Sequence, residues 1–110
     1  MILKINNEDL ELKYSFRSSI YFEQITGHSL NFENFTSNDL LTLFYCTVIA
    51  SLQKAKKPII TMLDFLDKID DENDGDKCIY EFSKWYIETM KAQYDVNDAD
   101  LEKEEKKSQE

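Results

Sequence analysis

Ten of the thirteen residues from Leu40 to Leu52 are apolar, and no other feature of the chain constrains its fold as tightly. They are Leu40, Leu41, Leu43, Phe44, Tyr45, Cys46, Val48, Ile49, Ala50 and Leu52. Thr36 or Ser37 can cap a helix at the head of this run, with Asp39 placed in its first turn. Lys54 to Lys57 suit the dipole at its far end, and Pro58 stops it. A helix apolar nearly all round lies at the centre of its fold or is covered by another chain. The run is too short to span a bilayer, which needs ~20 residues. In a chain of 110 residues few elements are available to surround it, so the run points to self-association or a partner.

The flanking segments supply the neighbours. Leu3 and Ile5, then Leu10, Leu12 and Tyr14, share a face if both segments are extended. The cluster Asn6-Asn7-Glu8-Asp9 between them suits a tight turn, since Asn and Asp tolerate positive φ. A hairpin alone is marginal in water, so this one must pack on something. Ser15 can cap a helix from Phe16 to Thr26, which Gly27 can end. Its apolar residues, Phe16 with Ile20 and Tyr21 with Ile25, plus Phe22, form no single stripe. His28 to Phe35 reads as a loop pinned by Leu30, Phe32 and Phe35. Beyond Pro58, Thr61 with Asp64 resembles a capping box, and Met62, Phe65, Leu66 and Ile69 keep helical spacing. Ile79, Phe82, Tyr86 and Met90 mark a fourth helix, with Trp85 beside the stripe and an end near Tyr94.

The resulting expectation is an α+β fold, mainly α: one domain over residues 1–94, an N-terminal β-hairpin followed by about four helices. Two glycines and one proline are too few for the many turns of an all-β chain. Residues 95–110 carry seven acids and three lysines, with only Val96, Ala99 and Leu101 apolar, and are expected to form a disordered acidic tail. Of the net charge of −9, residues 1–94 hold −5 (ten bases against fifteen acids) and the tail holds −4. No basic cluster suits phosphates, so nucleic acid and anionic membrane surfaces are not expected partners. The N-terminus lacks the charged and apolar regions of a signal peptide, and two cysteines make no disulfide framework. A cytoplasmic location is the expectation.

Candidate chemistry is sparse. Asp70 to Glu81 can be counted as a twelve-residue calcium loop, with Asp70, Glu72, Asp74, Asp76 and Glu81 as oxygen donors and Gly75 at the turn. Glu72 is longer than the Asp or Asn usual at its position, Lys77 stands where paired loops place an apolar residue, and no second loop exists. The competing reading is a solvated helix–helix connection in which Asp74 or Asp76 caps the next helix. His28, the single histidine, is placed to meet carbonyls at a helix end. Cys46 and Cys78 lack CxxC spacing, and no phosphate loop or HExxH pair is present. The sequence therefore points away from an enzyme and implies no cofactor.

Taken in order, these features resemble the tail assembly chaperones of long-tailed, siphovirus-type bacteriophages. The resemblance covers about residues 1–93. It is carried by Leu10-Glu11-Leu12-Lys13-Tyr14-Ser15-Phe16 and by Glu23-Gln24-Ile25-Thr26-Gly27-His28-Ser29, an E-x-x-T-G-x-S phrase. The apolar helix from Asp39-Leu40-Leu41 through Tyr45-Cys46 to Leu52, the Pro-containing break and Thr61-Met62-Leu63-Asp64-Phe65-Leu66 complete it. The resemblance implies a non-enzymatic protein of the bacterial host cytoplasm, absent from the finished virion. It would keep the hydrophobic tape-measure protein in solution while tail-tube subunits polymerise around it. It further implies homo-oligomers and, in many members, a longer form made by ribosomal frameshifting, for which Glu105-Lys106-Lys107 is a candidate slippery site. Leu41, Phe44, Tyr45 and Val48 are then candidate contacts to the client, and each is equally well placed to be intrachain core.

Overall fold

The computed structural model describes residues 1–93. The tail expected at residues 95–110 lies outside them. The hairpin pairs β1 (Ile2–Ile5) with β2 (Glu8–Glu11), Leu3 opposite Leu10 and Ile5 opposite Glu8. The turn is therefore only Asn6-Asn7, at φ 54 and 64, the paired left-handed geometry that matches strand twist. Glu8 and Asp9, read from sequence as turn residues, belong to the strand. Leu3, Ile5, Leu10 and Leu12 are all buried, as the alternation predicts.

Four helices follow, α1 (Phe16–Thr26), α2 (Ser37–Lys54), α3 (Met62–Glu72) and α4 (Gly75–Gln93), with a 3₁₀ turn at Phe32–Asn34. The E-x-x-T-G-x-S phrase is a helix stop. Gly27 sits at φ 79 with its N–H donating to Glu23 O at 2.8 Å, and the Thr26 hydroxyl donates to Phe22 O at 2.7 Å. Thr36 forms a full capping box with Asp39, at 3.0 and 3.2 Å. The side chain of Ser15 makes no cap. Its carbonyl accepts from the N–H and the hydroxyl of Ser18 instead, at 3.2 and 2.7 Å.

α2 is the centre of the fold. α1 packs along it, β2 and α4 lie against it, and α3 bridges α4 to β1. From Thr42 to Leu52 only Tyr45 escapes full burial. Its hydroxyl donates to Ile60 O at 2.7 Å and ties down the connection after Pro58. Thr42 and Thr47 fit this apolar setting because each hydroxyl donates to the carbonyl four residues back, at 2.8 Å. The chain thus covers its own apolar helix. Few elements suffice because an aromatic core fills the space between α2, α3 and α4. Phe44 stacks on Phe82 at 4.2 Å between centroids and meets Phe65 edge-on at 5.1 Å, while Phe82 continues to Tyr86 at 5.6 Å. No helix among the described residues is long and apolar enough to cross a membrane.

Candidate functional site

The four client-contact candidates divide on burial. Phe44 and Val48 are 0% exposed and belong to the chain's own core. Leu41 and Tyr45 are half-buried against that core. Neither Phe44 nor Val48 presents a surface to a second protein in this fold. A run apolar on every side holds no mark of which residues the chain itself will cover.

The acidic segment is not a loop. Asp70 and Glu72 end α3, Gly75 begins α4, and only Asn73 and Asp74 lie between. Asp74 sits at φ 65 and its carbonyl accepts from Lys77 N–H at 3.1 Å. Asp76 and Glu81 are in α4, on either side of the buried Cys78. No group of three or more His, Cys, Asp or Glu side chains is arranged to hold a metal ion among the described residues. The oxygens of a calcium loop converge only when its twelve residues wrap the ion, and here helices separate them.

Glu72 is engaged elsewhere. Its two carboxylate oxygens accept from the N–H groups of Asn7 and Asn6, at 2.7 and 3.1 Å. Consecutive N–H groups of a left-handed turn make a small anion cradle. Beside it, the Asn73 side chain accepts from Lys4 N–H and donates to Lys4 O, both at 2.7 Å, so one amide covers the outer edge of β1. The acidic segment clasps the hairpin.

Sequence reasoning missed one open apolar feature. At 100° per residue, Phe16 and Ile20 point roughly 120–160° away from Ser18 and Phe22. Ser18 and Phe22 take the core, which leaves Phe16 77% exposed. Between the start of α1 and the end of α2 runs a groove of about 690 Å³, lined by Ser15, Phe16, Arg17, Ile20, Tyr21, Ala50, Gln53 and Lys54. The Tyr21 hydroxyl donates to Gln53 Oε1 at 2.6 Å, and Arg17 reaches the same oxygen at 3.4 Å, so the groove has a polar floor at one end. The signal was present: two i, i+4 apolar pairs on different sides of one helix cannot both face one core.

The remaining reactive groups are occupied by structure. Burial pushes the Cys46 thiol up to about 12 and the Cys78 thiol up to about 11, where Glu81 and Asp74 add to the shift. Both are protonated at neutral pH and are poor nucleophiles. His28 stands with Nδ1 3.0 Å from Ser29 O and Nε2 3.5 Å from Asp39. It thus joins the loop to the α2 cap rather than to the last carbonyls of α1. Comparison with protein-family models, with curated proteins and with solved structures finds no match to this chain.

Proposed function

We propose that this protein is a phage tail assembly chaperone, non-enzymatic, acting in the bacterial host cytoplasm on the tape-measure protein and coming into contact with tail-tube subunits. The supporting observation is the two-faced α1, which leaves Phe16 and Ile20 in an open groove after the core is complete. A holdase needs apolar surface that its own fold does not use, and net charge that keeps the complex in solution. The groove supplies the first and the chain's charge of −9 the second. The order of hairpin and helices follows the segments that carry the resemblance. Since α2 is covered from within, homo-oligomers of this chaperone would form through other faces.

Co-expression with the tape-measure protein tests the reading. The expected result is a several-fold rise in soluble tape-measure protein, with a complex that co-elutes on size exclusion. An unchanged soluble fraction, together with a chain that stays monomeric in light scattering, overturns it.

A further inference from the structure

We infer that the groove between α1 and α2 receives an amphipathic helix of the client that carries acidic side chains beside its apolar stripe. The inference rests on the chaperone reading for the partner and adds the chemistry of the segment that is gripped. Three observations lead to it. The apolar part is a strip: Phe16 and Ile20 lie one turn apart on α1, and Ala50 lies opposite on α2. A strip bounded by two helices fits the i, i+3, i+4 anchors of a third helix better than it fits a compact small molecule.

The second observation is charge. The chain has 22 acids against 13 bases, yet the only ionisable side chains among the lining residues besides the Tyr21 phenol are Arg17 and Lys54, both cations. Three other depressions among the described residues each include a carboxylate. The one beside the start of α4 has Asp70, Asp74 and Asp76 with Lys77, and the one beside the hairpin turn has Asp67, Asp71 and Glu72 with Lys68. The apolar one between the hairpin and Pro58 has Glu8 with Lys57. A client helix with Asp or Glu flanking its stripe gains rim pairs here without facing a carboxylate, whereas each of those three depressions sets a carboxylate against it, which favours this groove. Two cations are too few to hold a nucleic-acid backbone or an anionic membrane.

The third observation is an unused donor. Ser15 lines the groove, and its hydroxyl, shielded from solvent, has no hydrogen-bond partner among the described residues. Turned toward the groove, it would donate to a carboxylate placed near Arg17.

The test uses the full chain and two labelled synthetic helical peptides with the same leucine stripe, one flanked by glutamates and the other by lysines. Fluorescence anisotropy should show the acidic peptide binding about tenfold more tightly, with the preference shrinking as salt rises. Phe16→Ala should weaken both peptides. Arg17→Glu with Lys54→Glu should remove or invert the preference, and Arg17→Gln with Lys54→Gln, gentler at the end of α2, should abolish it. Equal binding of the two peptides, or a preference that survives these substitutions in folded protein, overturns the inference. So does tighter binding of an RNA oligonucleotide or of anionic vesicles. The same variants in the tape-measure co-expression assay separate the two readings. Tape-measure protein kept soluble by wild type and by the groove variants alike removes the groove and keeps the chaperone. Charge-selective peptide binding without any effect on the tape-measure protein removes the chaperone and keeps the groove.

Discussion

Asn73 holds together two parts of the chain that are 69 residues apart. Its side chain satisfies both backbone groups of Lys4, donates again to Lys68 O at 3.0 Å, and sits beside the Glu72 clasp of the Asn6-Asn7 turn. Asn73→Ala returns the Lys4 groups to water, so the expected loss is modest, about 1 kcal/mol in urea denaturation. Hydrogen exchange gives the sharper readout: the Lys4 amide should exchange much faster while amides of α2 keep their protection. The two thiols make a second prediction at this scale. Their folded values of about 12 and about 11 lie above the usual 9.0, because burial disfavours the thiolate. Below pH 9 that stabilisation is complete. Between pH 9 and 12 the unfolded chain releases protons that the folded chain retains, so stability should fall as pH rises through this window. A thiol reagent at pH 8 should label neither cysteine in the native protein and both after denaturation. Little of this was legible beforehand. The burial of Cys46 followed from its apolar run, but nothing local in Asn73 or Glu72 reveals a partner 65 or more residues away.

The helix caps separate what sequence pattern can and cannot decide about an element. Thr36 and Ser15 both precede helices and both look like caps, yet only Thr36 makes the bond. Thr36→Ala should cost about 1 kcal/mol in thermal or urea denaturation. Ser15→Ala removes a hydroxyl with no partner among the described residues, and stability should stay within about 0.5 kcal/mol of wild type. An equal loss from both substitutions would contradict the geometry. The difference lies in the fourth position. The Asp39 carboxylate reaches back to accept from the Thr36 N–H, whereas Ser18, at the fourth position counted from Ser15, turns its own hydroxyl onto the Ser15 carbonyl. Element type and order were readable because α3 and α4 keep an apolar period, while α1 and α2 are bracketed by cap and stop residues. Boundaries moved where turn chemistry intervened. Consecutive left-handed residues at Asp74 and Gly75 let α4 start directly after α3, and an expected acidic loop became a two-residue joint. α1 was the hardest element to orient, since its apolar residues point two ways and only packing selects Ser18 and Phe22.

For the whole molecule, stability concentrates in the aromatic core that joins α2, α3 and α4. Phe44 touches it on two sides, stacked on Phe82 and edge-on to Phe65. Phe44→Ala should cost about 3–5 kcal/mol, much of the margin of a small domain, and should lower the urea midpoint sharply. Leu63 and Tyr80, 75% and 70% exposed, should change stability by less than about 0.5 kcal/mol when replaced by Ala. The contrast distinguishes core from surface where sequence alone offered Phe44 as either. The apolar run fixed the place of α2 at the centre. Which neighbours would enclose it depended on long-range contacts that no local pattern records. The clasp at Asn73 bears also on how the chain is made. The hairpin leaves the ribosome before the helices that pack on it, yet the residue that secures its outer edge comes 69 positions later. At bacterial elongation rates of roughly 5–20 residues per second, that strand edge waits several seconds for its cover. Over that interval nascent chains on one messenger lie close together, each presenting an uncovered strand to the next. Pairing between them would be the characteristic misfolding route of this protein, and slow translation of the stretch before Asn73 would promote it.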